Sequence, residues 1–270
     1  MSDSYTFIGG GNMGQALIGG LISSGHPRSS ISVLDKAAAS RDACAQQFGV
    51  KVFERNTRAM NESHAIILAI KPKDVEEVCK DLHQHKLDDT LIISIAAGIT
   101  CAQLEKWLGH ETAIIRAMPN TPALIGLGIT GMFANKNVNP LSKQLGTKIL
   151  GAVGKTEWLE KEGEIDAVTA VSGSGPAYFF LFYELLEDAA AKLGLDTNLS
   201  RRLVLSTAKG AVELALSTDK SAAQLRAEVT SEGGTTEKAL QSFTKNDLKN
   251  TITEALVAAR DRSAELSNKQ

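Results

Sequence analysis

The chain of 270 residues holds only three cysteines, Cys44, Cys79 and Cys101. An odd number at wide spacing argues against a disulfide scaffold and points to free thiols in a reducing cytoplasm. No stretch reaches the roughly 20 uninterrupted apolar residues of a membrane span. The opening MSDSYTFIGGG has neither a basic start nor a long apolar run, so no secretory signal is expected. Positive charge is not in excess, and the formal net charge of −2 offers no footprint for nucleic acid. His83 and His85 lie two apart on a predicted helix and point in different directions, so no metal site is expected. After residue 161 histidine is missing altogether, and the first lysine following VSGSGPAY is Lys192. The C-terminal half therefore offers no obvious strong general base of the kind that oxidising an alcohol needs.

What is present is an ordinary globular composition at a length that suits two domains. In the first half, YTFIGG, ISVLDK, a short segment around Val52 and Phe53, HAIILAIKP, TLIISIAAG and AIIRAMPN read as strands. Amphipathic stretches such as NMGQALIGGLISSG, KDVEEVCKDL and TCAQLEKWLG fall between them. This alternation predicts an α/β domain over residues 1–161, a doubly wound parallel sheet with its ligand site at the carboxyl ends of the strands. From residue 162 to 270 no strand is expected. PAYFFLFYELLEDAAAKLG, LSRRLVLSTAKGAVELAL and NTITEALVAARDRSAEL form an all-helical domain. The first of these is apolar on nearly every face from Tyr178 to Leu186, so it must be buried all round, which favours a homodimer through the helical half.

FIGGGNMG places Gly9, Gly11 and Gly14 in a G-x-G-x-x-G spacing between a strand and a helix. Gly9 allows the tight turn, Gly11 lets a pyrophosphate approach the backbone, and Gly14 lets the helix pack on the strand. The N–H groups of Asn12 and Met13 would face the phosphates at the positive end of the helix dipole. Asp35 ends the second strand, where an acid binds a ribose diol and favours NAD. Lys36 and Arg41 follow closely, so a 2′-phosphate could also be held, and the preference between NAD and NADP stays open. AIKP (Ala69, Ile70, Lys71, Pro72) and AAG (Ala96, Ala97, Gly98) follow the next two strands, on the nicotinamide side of a dinucleotide. Lys71 is either a cofactor contact or a plain surface charge.

Two glycine-bearing helix starts in the helical half are candidates for holding a carboxylate. VSGSGPAYFF reads either as such a site or as a serine-capped turn. VTSEGGTTEKAL has the stronger case. Gly233 and Gly234 expose backbone N–H groups, Thr235 and Thr236 add hydroxyls, and Glu237 supports the first turn. An imine carbon, being electrophilic already, needs less acid–base help than an alcohol, and a hydroxyl donor such as Thr236 suffices for it.

Taken together, FIGGGNMGQALIGGL, AIKP, SIAAGIT, IRAMPNTPALIGLGIT, IDAVTAVSGSGPAY and VTSEGGTTEKAL resemble pyrroline-5-carboxylate reductase, in order across residues 7 to 240. The resemblance implies a Rossmann domain, a helical dimerisation domain and, in many members, a pentamer of dimers. It implies reduction of the cyclic imine 1-pyrroline-5-carboxylate to L-proline by NADPH or NADH. By position it assigns cofactor contacts to the loop from Ile8 to Met13, to Asn56, to Ala69–Pro72 and to Ala97. It assigns the substrate carboxylate to Ser231 and the Gly234–Thr235–Thr236 backbone, with the Thr236 hydroxyl near the imine nitrogen. Glu162 and Asp219 match acidic positions near the family's substrate site. Where the family pattern commonly reads Ser-Pro-Gly-Gly, this chain has Glu232 in place of proline, and Glu232 is expected to point to solvent.

The nearest rival enzyme is a β-hydroxyacid dehydrogenase, whose chemistry calls for a lysine on the helix after the serine–glycine turn. Tyr178 to Ala191 contains none. A nucleotide-binding scaffold without catalysis is the rival from another class.

Overall fold

Short apolar runs between amphipathic ones leave each strand with helices to bury it on both sides. The computed structural model describes residues 3–55, 57–85, 87 and 89–269. Its elements in the first half are β1 (Tyr5–Ile8), α1 (Asn12–Ser23), β2 (Ile31–Leu34), α2 (Ala38–Phe48), β3 (Lys51–Phe53), α3 (Thr57–Asn61) and β4 (Ala65–Leu68). There follow α4 (Pro72–Leu82), β5 (Leu91–Ser94), α5 (Cys101–Leu108), β6 (Ile114–Met118), β7 (Gly128–Ala134), α6 (Pro140–Gly151), β8 (Gly154–Trp158) and α7 (Glu164–Val168). The strands lie in the order β3-β2-β1-β4-β5-β6-β7-β8. The order reverses direction at β1, whose neighbours are β2 and β4, and a crevice opens at the carboxyl ends of strands at such a point.

Alternation along the strands divides the core between two faces. Tyr5, Phe7, Ala65 and Ile67 pack with Leu17, Ile18 and Leu21 of α1 and Ile149 and Leu150 of α6. Ile8, Ile66 and Leu68 pack with Val75, Cys79 and Leu82 of α4 and Leu104 of α5. The strands are buried on both faces, which is why their sequences read as continuous apolar runs rather than as alternations.

Two strands depart from the expected pattern. β7 pairs antiparallel with β6, and β8 pairs parallel with β7, so the sheet is mixed at one edge. Neither strand was expected from the sequence. β7 begins on Gly128 and carries Gly131, while β8 alternates intermediate and exposed residues, as an edge strand does. Gly131 is required by packing, because a Cβ there would lie 2.7 Å from a methyl of Val168.

The chain divides into two compact units, Met1–Ser174 with Ala259–Gln270, and Gly175–Ala258. This division by compactness falls later than residue 161 and returns the end of the last helix to the first unit. The second unit contains α8 (Gly175–Lys192), α9 (Thr197–Leu216), α10 (Ala222–Glu228), α11 (Thr235–Lys245) and the first part of α12 (Leu248–Lys269). On α8, Phe179, Phe180, Leu181 and Leu185 are 54–64% exposed in the single chain. A contiguous apolar face of this kind is left for another surface to cover. Among the described residues no helix is long and apolar enough to cross a membrane.

Candidate active site

The glycine loop has the shape its spacing predicts. Gly9 has φ +103°, and a Cβ there would lie 2.3 Å from the Ala69 carbonyl oxygen, so this position admits only glycine. A Cβ on Gly14 would lie 2.6 Å from the Gly9 oxygen. Gly11 differs: a Cβ there meets nothing within 4 Å, so its absence keeps open space in front of the loop rather than relieving a clash. Gly11 is also the N-cap of α1 and makes no side-chain cap, leaving the Asn12 and Met13 N–H groups without acceptors among the described residues. A bare first turn beside open space fits the phosphates of a dinucleotide. Gln15 braces the loop by donating from Nε2 to the Gly10 oxygen at 2.7 Å. The sequence reading missed Gln15.

Beside the loop lies a cavity of about 460 Å³, lined by Ile8, Gly9, Asp35, Lys36 and Ile70 among others. It brings together residues that the sequence assigned to the cofactor from three separate strand ends. Asp35 is held firmly: Gly10 N–H donates to its Oδ2 and Ala37 N–H to its Oδ1, both at 2.8 Å. Lys36 Nζ pairs with Glu77 Oε1 at 3.0 Å. Arg41 Nη1 donates to the carbonyl oxygens of Asp35 and Lys36. Glu54, Arg55 and Glu77 also line the cavity and were missed. For Glu54 and Arg55 the signal was available, since they follow β3 at the carboxyl edge of the sheet. Asn56 lies outside the described residues.

Lys71 is the N-cap of α4 and Pro72 its first residue, with φ and ψ of Lys71 extended as proline demands. The Lys71 side chain is exposed and makes no ion pair among the described residues. Ala97 is exposed on the loop after β5. Next to it Gly98 has φ +74°, and a Cβ there would lie 3.1 Å from Cβ of Leu266, at the end of α12. Gln103 Nε2 donates to the Ser267 oxygen at 3.4 Å, and Ser263 Oγ donates to Asp166 at 2.7 Å. The end of the chain thus backs the loop that carries Ala97.

In the second unit the VTSEGGTTEKAL break is a tight turn followed by a bare helix start. Gly234 N–H donates to the Ser231 oxygen at 3.0 Å, and Gly233 has φ +72°. A positive φ at the third residue alone is the pattern of a type II turn. Glu237 reaches back so that its Oε2 accepts the Gly233 N–H at 2.9 Å. This corrects the expectation that both glycines present free amides. The free N–H groups lie one step further on, at Thr235, Thr236 and Glu237, which have no acceptor among the described residues. A Cβ on Gly234 would lie 2.7 Å from Ser231 Oγ and 3.0 Å from the Ser231 carbonyl oxygen, so any other residue there would crowd the turn. Glu232 is exposed and makes no ion pair among the described residues, as expected for a side chain turned to solvent.

At the second carboxylate candidate a wide helical turn comes just before the start of α8 at Gly175. Helical turns run on from α7 through Thr169–Gly173 as a single wide turn, with Ser174 N–H donating to the Thr169 oxygen at 2.8 Å. Ser172 Oγ donates back to the Val168 oxygen at 3.0 Å, so it does not cap. Asp219 is exposed in the turn between α9 and α10. Glu162, which the family resemblance puts near the substrate site, is paired with buried Arg116 and accepts the Cys101 N–H at the start of α5.

Comparisons with known proteins place the chain in a family. A family model described as pyrroline-5-carboxylate reductase dimerisation matches residues 162–266. One described as NADP oxidoreductase, coenzyme F420-dependent, matches residues 4–98. The chain is 46% identical to a pyrroline-5-carboxylate reductase of Pseudomonas aeruginosa, over 97% of this chain and 96% of that one. It is similar in structure to a pyrroline-5-carboxylate reductase of Coxiella burnetii, with TM-score 0.93 and 39% identity, over 99% of both chains. A pyrroline carboxylate reductase of Plasmodium falciparum, solved with NADP bound, superposes with TM-score 0.86 at 33% identity, over 98% of both chains.

Proposed function

The chain belongs to the pyrroline-5-carboxylate reductase family, and we propose that the start of α11 is where its substrate's carboxylate is held. The reaction is the NAD(P)H-dependent reduction of 1-pyrroline-5-carboxylate to L-proline, the last step of proline biosynthesis. The observation that carries the assignment is the bare first turn of α11, with the N–H groups of Thr235, Thr236 and Glu237 unpaired behind a turn held shut by Glu237. A carboxylate accepts such N–H groups in charge-assisted hydrogen bonds, and the helix dipole adds to them.

The Ser231 hydroxyl, against Gly234, adds a donor on the other side of the turn. The Thr236 hydroxyl donates to the ring nitrogen and so orients the C=N bond. Asp219 is assigned to the rim of the same site on the family resemblance. When bound, NAD(P)H supplies the hydride that the imine carbon accepts, while the nitrogen takes a proton. In the first unit the N–H groups of Asn12 and Met13 hold its phosphates, Asp35 and Lys36 face its adenosine ribose, and Ala69–Pro72, Ala97 and Asn56 are assigned to its other end. Most of the catalysis is positioning, which accounts for a helical half without histidine.

The chain forms a homo-oligomer, and we assign a dimer through the second unit, assembled as a pentamer of dimers. The uncovered face of α8 supports the dimer. Its three buried free thiols suit the cytoplasm. The experiment that tests the activity is NADH and NADPH oxidation with the cyclic imine, set against a β-hydroxyacid with oxidised cofactor. Turnover of the imine alone is expected. Turnover of the hydroxyacid, or of neither, would overturn the reading.

A further inference from the structure

We propose that Asp35 makes this chain favour NADH over NADPH; the proposal rests on the reading of the first unit's crevice as the cofactor site. The Asp35 carboxylate stands at the carboxyl end of β2, on the wall of that crevice. Its position is fixed from both sides. Gly10 N–H, from the loop that faces the phosphates, holds Oδ2 at 2.8 Å, and Ala37 N–H holds Oδ1 at 2.8 Å. Two anchors of this kind prevent the side chain from rotating away from whatever binds beside the loop. Each oxygen still has acceptor capacity, because an ionised carboxylate takes about four hydrogen bonds in all. A ribose diol supplies two donors for that capacity. A 2′-phosphate supplies none and brings further negative charge against a carboxylate that cannot retreat.

The neighbouring cations do not reverse this balance. Lys36 is already paired with Glu77 at 3.0 Å. Arg41 spends Nη1 on the carbonyl oxygens of Asp35 and Lys36, and its Nη2 stands 3.9 Å from Glu54. Arg55 and Lys80 line the same cavity, which they share with the acids Glu54, Asp74, Glu77 and Asp81, and Lys80 is paired with Glu76 at 2.6 Å. The Lys36–Glu77 pair is 69% and 70% exposed, so breaking it costs little, and a freed Lys36 is a mobile, solvent-screened charge that offsets only part of the repulsion from Asp35. The immobile charge of Asp35 decides the preference. At 5 Å in water-like surroundings, repulsion between a phosphate and one carboxylate corresponds to about tenfold in affinity.

The test is calorimetric binding of NADH and NADPH to the wild-type protein and to Asp35→Asn and Asp35→Ser. Wild type is expected to bind NADH about tenfold tighter or more, and both variants are expected to close the gap by binding NADPH more tightly. Equal or tighter NADPH binding by the wild type would overturn the proposal. So would variants that weaken both nucleotides by the same factor, because Asp35 would then only shape the loop. Imine turnover with NADPH as the better cofactor leaves the family reaction standing and contradicts this proposal alone. Failure to bind either nucleotide removes the cofactor site and the proposal with it.

Discussion

Arg116 Nη1 donates to Glu162 Oε1 at 2.9 Å, and the same oxygen accepts the Cys101 N–H at 2.7 Å. The guanidinium sits on β6 with its side chain only 4% exposed, and Arg116 Nη2 reaches Ser267 Oγ at 3.4 Å. One carboxylate therefore ties a central strand to the start of α5, next to the end of α12. Removing it leaves a buried charge without its partner, so Glu162→Ala should destabilise the fold by about 3 kcal/mol. Urea denaturation measures this, and a loss below about 0.5 kcal/mol, the range of an ordinary surface substitution, would contradict the buried clasp.

Gly11 separates cofactor binding from folding. Its φ of −73° suits any residue, and a Cβ would meet nothing within 4 Å. Gly11→Ala should therefore leave the thermal midpoint of the protein without cofactor nearly unchanged while weakening NAD(P)H binding tenfold or more. Gly9→Ala should destabilise the protein itself, since its Cβ would collide with the Ala69 carbonyl. Equal cofactor affinity in wild type and Gly11→Ala would mean the phosphates bind elsewhere.

Glu232 occupies the second position of a turn whose third residue, Gly233, has φ +72°. Proline suits that second position, and the Glu232 N–H makes no hydrogen bond among the described residues. Glu232→Pro should stabilise the protein by about 0.4–1 kcal/mol, through the entropy of the unfolded chain. Chemical denaturation gives the sign directly. A destabilised variant would show that the turn needs a conformation proline does not adopt.

The break at 229–240 was legible because two glycines and two threonines have no place in a helix interior. Which amides it frees was not, because that depends on Glu237 folding back onto Gly233, a contact no spacing rule fixes. The tight turn at Gly9 and the close packing at Gly14 were legible in the glycine spacing, since sterics alone set them. β8 escaped because GKTEW is a short polar edge strand, stabilised by pairing with β7 rather than by burial. The pairing of Glu162 with Arg116 joins residues 46 apart, and a pair so distant leaves no local signal in the chain.

His26 stacks on Tyr5 with ring centroids 4.3 Å apart, and its buried Nε2 has no partner among the described residues. Burial first, and then Lys148, lower its pKa from the usual 6.5, against a smaller opposing pull from Asp3. Protons therefore bind the unfolded chain before the folded one, and this group's contribution to stability falls as pH drops below 6.5. His26→Phe should keep the stack and flatten the profile as pH falls below about 6.5. Thermal midpoints across the range measure it, and parallel profiles for both proteins would assign the acid sensitivity to other groups.

The central claim is that the α11 start holds and orients the substrate, and steady-state kinetics of Thr236→Ala test it most directly. With 1-pyrroline-5-carboxylate as substrate, kcat/KM should fall roughly tenfold or more, the loss of about 1.4 kcal/mol that one hydrogen bond to the reacting ring represents. Thr236→Ser, which keeps the hydroxyl, should recover most of the loss. Wild-type kcat and KM in Thr236→Ala would contradict the account.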